Sequence, residues 1–413
     1  MLYDLITFHR VGSKNLFILP SLPSWLVLTD SEAIAFKEFS VSLDRQKTIK
    51  FMLEHGYSSA DAKKHTCTLL VKLENAGFHP LKKVQLTFYE DEVYPSDVHL
   101  CLTRGCNLRC KHCYISAEKE MVGEYGLKDW IIGFSSFLQY VDNPNITISG
   151  GEPTQKAFLP ELIEYLSDKA NVTLFTNGKR NIDGLVPYLK EVQVSLDGIS
   201  AQTNDEIRGL GSFRKISKFI REFPDKQKLT VAITVMSHNF RHIRDNLSIF
   251  LCEHNIDNSN LRLNSNLEDA GRAEEMNDSF KNFGDVMALE IAEFMSTLKP
   301  DEPPPDKFIN KLNCGIGLSI GVDANGDIYP CDEFTNRLGN IKDINLPVIL
   351  RKSVAINKET QINNMPYCQK CDLKNICLGG CKAKNLQKNG SYFLPDCSET
   401  KKQTKYVNLA YEI

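Results

Sequence analysis

The sequence predicts an α/β protein: a partial (β/α)6 barrel with an N-terminal winged-helix-like domain and a C-terminal cysteine-rich domain. Six short apolar segments alternate with amphipathic helical ones between residues 95 and 300, the pattern of a parallel sheet covered by helices. A hairpin and three helical stretches precede them, and seven of the thirteen cysteines follow a proline-rich stretch at 300–306. At 413 residues the chain exceeds one ordinary core, and we divide it at 1–85, 95–300 and 307–413.

Composition narrows the function classes. Hydrophobic residues make up 42% of the chain and charged residues 24%, with a net charge of -3, which gives no reason to expect a nucleic-acid or anionic-lipid surface. No run approaches the roughly eighteen apolar residues of a membrane span. The start, Met1-Leu-Tyr-Asp4, puts an acid where a secretion signal carries basic residues, so the expected location is cytoplasmic. In that compartment a large, uneven set of cysteines points to metal ligation rather than disulfides.

In the first domain, Leu16–Leu19 and Trp25–Leu28 read as a hairpin, followed by helices at 31–40, 44–55 and 59–76. The last is the clearest, with Ser58 and Asp61 spaced as a capping pair and Gly77 as the stop. Winged-helix-like domains often bind DNA, but residues 1–80 hold nine Lys or Arg against eight Asp or Glu, too flat a balance for many phosphate contacts. Capture of a peptide as an added strand on an exposed hairpin edge is the better expectation.

The middle domain's strands are expected at Val98–Leu102, Ile146–Ser149, Val172–Phe175, Val192–Ser195, Thr230–Met236 and Leu261–Asn264. Ligands of parallel α/β structures bind at the carboxyl ends of the strands, and the residues with chemistry cluster there. Cys106, Cys110 and Cys113 follow the first strand, Gly150-Gly151-Glu152 the second, Thr176 ends the third and Ser195 the fourth. Thiolates select zinc, copper(I) or iron-sulfur clusters. A cubane has four irons, so three cysteines leave one iron open to another ligand.

The Cys106-x3-Cys110-x2-Cys113 spacing, with Gly150-Gly151-Glu152 one unit later, resembles the radical S-adenosylmethionine (SAM) enzymes over residues 95–300. The resemblance implies that SAM chelates the open iron and is cleaved by one electron to a 5'-deoxyadenosyl radical. By position it assigns the SAM ammonium to Glu152 and the backbone of Gly150 and Gly151. Thr176 and Ser195 become ribose or carboxylate contacts, Arg208 the carboxylate's arginine, and His112 the ring packed near adenine.

Beyond residue 306, Cys314, Cys331, Cys368, Cys371, Cys377, Cys381 and Cys397 are spaced like the SPASM extension of radical SAM enzymes. That resemblance makes the last domain an iron-sulfur domain and raises the expected cofactors to SAM and three 4Fe-4S clusters. It implies an outer auxiliary cluster on Cys368, Cys371, Cys377 and Cys397, and an inner one on Cys314, Cys331 and Cys381. Gly315–Gly321 lacks the further cysteine of sulfatase-maturing relatives, so a fourth inner ligand is not identified. Asp332 matches their proposed general base. Cys67, Cys101 and Cys252 read as packed thiols.

A winged-helix-like domain ahead of this arrangement resembles maturases of ribosomally made peptides. The implied function is oxidative modification of a precursor peptide, as a thioether or C-C cross-link. The leader is expected to add beside Leu16–Leu19 or Trp25–Leu28, and a flavodoxin or ferredoxin to supply electrons. The alternatives are formylglycine formation in a sulfatase and an iron-sulfur DNA sensor.

Overall fold

The computed structural model describes residues 6–77, 94–265, 267, 270–277, 280, 284–298, 312–333 and 336–411. The proline-rich stretch at 300–306 lies outside them. By compactness the chain forms two units: residues 1–91, 301–314 and 359–413 in one, and 92–300 with 315–358 in the other. The sequence division into three cuts across these units, since the cysteine-rich end shares a unit with the N-terminal residues, and 315–358 belong with the barrel.

In the first unit, β1 (Thr7–Val11), β2 (Lys14–Leu19) and β3 (Ser24–Leu28) form an antiparallel sheet in sequence order. The expected hairpin is β2-β3, while β1 escapes a sequence reading because polar His9 and Arg10 interrupt its apolar pattern. Three helices pack on the sheet: α1 (Asp30–Ser42), α2 (Arg45–Glu54) and α3 (Ser59–Asn75). Each start is fixed by its own residues. Thr29 and Glu32 form a reciprocal capping box on α1, the Asp44 carboxylate accepts from Gln46 and Lys47 N–H on α2, and Ser58 Oγ accepts from Asp61 N–H on α3. Phe17, Leu26, Phe36, Met52 and Leu69 close the core between them.

β2 has neighbours on both sides, β1 and β3. The expectation that a peptide could add beside Leu16–Leu19 is therefore corrected, because an inner strand has no unpaired edge. Trp25–Leu28 lies in the outer strand β3.

The second unit carries, among the described residues, a nine-stranded sheet in the order β12-β11-β10-β4-β5-β6-β7-β8-β9. The six expected strands are β4 (Asp97–Thr103), β5 (Asn145–Gly150), β6 (Asn171–Thr176), β7 (Glu191–Leu196), β8 (Leu229–Thr234) and β9 (Leu261–Asn264), all parallel. Helices α4 (Leu127–Phe137), α5 (Leu159–Ser167), α6 (Ala201–Arg208), α7 (Ser212–Glu222) and α8 (Phe240–His254) connect them. Alternation divides each strand: Val98, Leu100, Ile146, Ile148, Val172, Leu174, Val192 and Val194 enter the helix-covered core with Trp130, Phe134 and Phe137. The intervening, more polar residues face the opposite side of the sheet.

The sheet continues past the six strands. β10 (Ser319–Val322) pairs parallel to β4, β11 (Asp327–Tyr329) antiparallel to β10, and β12 (Gly339–Asn340) antiparallel to β11. The Arg104 guanidinium holds the Asp323 carboxylate through two hydrogen bonds, 3.0 and 2.7 Å. This bidentate pair fixes the turn after β10 beside the turn after β4.

Candidate functional site

Cys106, Cys110 and Cys113 leave the end of β4 on a loop stitched to its neighbours mainly by backbone hydrogen bonds. Gly151 N–H donates to Thr103 C=O at 2.7 Å and Glu152 N–H to Gly105 C=O at 2.8 Å. This contact explains the glycines. A Cβ at Gly151 would stand 2.0 Å from the Gly105 oxygen, and one at Gly150, whose φ is +120°, would stand 2.5 Å from the Thr103 oxygen. The Gly-Gly pair lets β5 approach the cysteine loop.

The Glu152 carboxylate is 1% exposed and engaged within the protein. Its Oε1 accepts from Thr154 N–H and Oγ1 and from Thr176 Oγ1 at 2.7 Å, and its Oε2 from Asn177 N–H at 2.7 Å. Glu152 and Thr176 thus lock the ends of β5 and β6 together. Asn177 extends the lock to the cysteine loop by donating to Asn107 Oδ1 at 2.7 Å.

The residue at the centre of the next contact carries no role in the sequence reading. Asp197, buried at the end of β7, accepts from His112 Nε2 at 2.6 Å and Arg208 Nε at 2.5 Å on the same oxygen, Oδ2. Two residues assigned separately to a cofactor are therefore joined by one carboxylate. Burial disfavours the Asp197 charge, but Arg208 and His112 overcome it and hold the carboxyl well below the ordinary range. Its Oδ1 is buried with no partner among the described residues, so the site retains an unfilled acceptor. The signal in the sequence is its place in Ser195-Leu-Asp197-Gly198, at the carboxyl end of the fourth strand.

Because Asp197's carboxyl is lowered on folding, its contribution to stability is present above the ordinary carboxyl value and is lost as the pH falls through the folded value. Asp197→Asn leaves the buried Arg208 cation without its counter-charge. We expect a loss of about 3–5 kcal/mol, read by denaturant unfolding of the metal-free protein at neutral pH, with the difference from wild type shrinking as the solution is acidified.

Arg272 holds the far side of the loop. Its Nε donates to Cys110 C=O and one Nη to Ala117 C=O, both at 3.0 Å, while its N–H donates to Cys113 C=O, also at 3.0 Å. The charge and hydrogen-bonding capacity were visible in the sequence, but not the target.

The donor set fits an iron-sulfur cluster. Burial raises the Cys106 thiol and pushes Cys110 up to about 11, and the charges of the three cysteines oppose one another. Thiols so placed become thiolates only beside a strongly positive centre. Leu108 N–H points at Cys106 Sγ at 3.4 Å and Ala117 N–H at Cys113 Sγ at 3.3 Å, contacts of the kind that tune cluster sulfurs. Among the described residues no group of His, Cys, Asp or Glu closes on a single metal ion; a cubane spreads its ligands wider.

Asp332 lies in this same unit, and Gly321 on β10 packs directly on its backbone. Its charge acts on Tyr114, the residue after Cys113; burial, then Asp332, raises the Tyr114 hydroxyl. Ser195, on β7 between core residues Val194 and Leu196, faces away from the helices. Cys101, in β4, is a packed thiol pushed up to about 12 by burial. Cys252 is exposed, which corrects its reading as packed, and Cys67 is half-buried under Arg45.

In the other unit, burial raises the Cys368 thiol, and the charges of Cys371, Cys377 and Cys397 add to the shift. Cys314 likewise acts on Cys381. Asp372, beside Cys371, accepts from Thr7 Oγ1 at 3.0 Å, His9 Nε2 at 2.7 Å and Tyr406 OH at 3.0 Å. Burial opposes its charge, but these donors bring the carboxyl down to about 2. Strand β1 and the helix Glu399–Tyr411 thus meet at the residue next to a cysteine, and His9 stacks on Tyr406 at 3.9 Å.

Comparison with known proteins agrees with this chemistry. Residues 100–248 match the radical SAM superfamily, and residues 314–372 match the SPASM iron-sulfur cluster-binding domain. The second match ends before Cys377, Cys381 and Cys397, whose assignment rests on spacing. The chain is 26% identical to the Bacillus subtilis protein AlbA of antilisterial bacteriocin subtilosin biosynthesis, covering 89% of this chain and 87% of that one. It is also 26% identical to an AdoMet-dependent heme synthase of Oleidesulfovibrio alaskensis, covering 70% and 83%. Its fold resembles Streptococcus suis SuiB bound to S-adenosylmethionine, with a TM-score of 0.54, 17% identity and coverage of 95% and 98%. It also resembles anSMEcpe with bound AdoMet and the Cp18Cys peptide, with a TM-score of 0.55, 19% identity and coverage of 77% and 99%. No helix among the described residues is long and apolar enough to cross a membrane.

Proposed function

We propose that this chain, an enzyme with a radical SAM domain and a SPASM domain, matures a ribosomally made precursor peptide by oxidative cross-linking. The observation that carries the reading is the N-terminal sheet with β3 as an outer strand, in the same chain as a three-cysteine loop whose thiols are half-buried. The bacteriocin-biosynthesis relative supports it, since it shares more of the chain than the heme synthase does.

In this reading Cys106, Cys110 and Cys113 hold the cluster that binds SAM. When bound, cluster and SAM supply one-electron cleavage chemistry and a radical able to take hydrogen from an unactivated carbon. The chain's own residues place that chemistry. Gly151 and Glu152 clamp the loop to β5, Arg272 clamps its carbonyls, and Asp197 fixes His112 and Arg208. With Glu152 engaged by Thr154, Thr176 and Asn177, the SAM ammonium falls chiefly to the backbone at Gly150 and Gly151. The Arg208 N–H groups not used on Asp197, together with Ser195, are the candidates for its carboxylate and ribose.

Asp332 accepts the proton released as the substrate is oxidised. The seven C-terminal cysteines would hold two auxiliary clusters, which would supply a route for the electron released by the substrate, and a flavodoxin or ferredoxin would supply the first electron. A second reading, tetrapyrrole chemistry, is favoured by the heme synthase relative.

Anaerobic incubation of the reconstituted enzyme with SAM, reductant and a precursor peptide encoded beside its gene tests both. The expected result is 5'-deoxyadenosine together with a peptide lighter by one hydrogen pair per cross-link. Turnover of a porphyrin but not of the peptide overturns the peptide reading. Absence of 5'-deoxyadenosine with fully loaded clusters overturns the enzymatic one.

A further inference from the structure

Arg262 stands in β9 between Leu261 and Leu263, which pack on the helix-covered core. Side chains alternate faces along a strand, so Arg262 points to the opposite side of the sheet, the side that Ser195 also faces. It pairs with Ala232 of β8, and Ala232 pairs with Ser195 of β7. The arginine and the serine proposed above to contact SAM thus lie at one level, with a single small residue between them. The guanidinium crosses β8, and one Nη donates to Gln193 Oε1 of β7 at 3.2 Å. Gln193 is itself buried, 7% exposed.

The partner decides what this arginine can do. Arg104 and Arg208 in the same unit each hold a carboxylate, Asp323 and Asp197. Arg262 holds an amide, and no carboxylate pairs with it among the described residues. Glutamine has the length of glutamate without its charge, so Gln193 fixes the guanidinium and leaves its positive charge uncompensated. Nε and the second Nη make no hydrogen bond among the described residues, and that edge of the fork takes a carboxylate through two parallel hydrogen bonds. The side chain is exposed, so a ligand can reach it. We propose that Arg262 binds a carboxylate of the substrate and anchors it beside the SAM site. The inference rests on the peptide reading and deepens it by naming a group the substrate carries: an aspartate, a glutamate or the terminal carboxylate of the core peptide. A porphyrin propionate has the same chemistry, and the test separates the two sources.

The test uses the reconstituted full-length enzyme with SAM, reductant and two substrates, the precursor peptide encoded beside the gene and a propionate-bearing porphyrin. Arg262→Met is expected to raise KM for the substrate turned over by about tenfold or more, the order that follows from losing a charge-assisted hydrogen bond. Replacing one particular carboxylate of the peptide by its amide should raise KM equally in the wild type and add nothing further in Arg262→Met. Gln193→Glu keeps the arginine but supplies it with an internal carboxylate. It is expected to raise KM in the same way, and it decides if Arg262→Met does not fold. An unchanged KM in the folded variant, or a loss that no carboxylate-to-amide replacement reproduces, overturns the proposal. So does an equal loss of SAM affinity, which would assign the arginine to the cofactor. Failure of the peptide reading shows itself separately, as turnover of the porphyrin alone. In that case a raised KM for the porphyrin in Arg262→Met, with no further loss on its methyl ester, supports the carboxylate site with a different substrate.

Discussion

Cys110→Ala is expected to abolish SAM cleavage. Loss of an outer-shell partner of a metal site costs about 10–100-fold, and removing one of three ligands costs more, so 5'-deoxyadenosine should fall to reagent background. Cys110 is the most strongly perturbed of the three thiols, pushed up to about 11 by burial, and its carbonyl is held by Arg272. The loop can therefore keep its shape in the variant while losing its cluster. On the proposed loading of three clusters, iron content should drop by roughly one third. Undiminished 5'-deoxyadenosine would take the loop out of the reaction.

The second large effect concerns the outer strand β3. The Val27 carbonyl accepts from Lys72 Nζ at 3.1 Å, so it faces away from β2, and Lys72 is itself paired with the Glu32 carboxylate at 2.7 Å. In an antiparallel strand a residue's N–H and C=O face the same neighbour, which makes Val27 a residue whose backbone meets an added strand. Val27→Pro removes that outward donor and leaves the β2-β3 ladder intact. Leader-peptide affinity, measured by fluorescence anisotropy, should fall by about tenfold or more, roughly 1.4 kcal/mol, with an unchanged melting temperature. Unaltered affinity would move leader capture away from β3. This substitution is cleaner than removing residues 1–80, because Thr7 and His9 hold Asp372 beside Cys371 and a truncation would disturb that region as well.

The fold was legible where its signals are local. Six parallel strands lie where short apolar runs alternate with helical ones, and the α3 start falls at the Ser58 and Asp61 pair. The extension β10-β11-β12 was not legible, because β10 pairs with β4 across more than two hundred residues of chain and its four residues carry no pattern of their own. The same holds for β2: its apolar run identifies a strand, but only the pairing with β1 shows that it is an inner one.

The candidate site divides in the same way. Spacing alone singled out Cys106, Cys110 and Cys113, because three thiols within eight residues stay together on one loop whatever the rest of the chain does. It also singled out Gly150 and Gly151, since few other residues tolerate such close backbone approach. What Glu152, His112 and Arg208 touch is a matter of distance in space. Glu152 is engaged by the ends of β5 and β6, and His112 and Arg208 share Asp197. Which chemistry the chain carries follows from residue identity, since thiols and glycines are read directly from the chain. Which side chains are already paired inside the protein emerges from the packed fold, because a carboxylate's role depends on the donors that reach it from other strands.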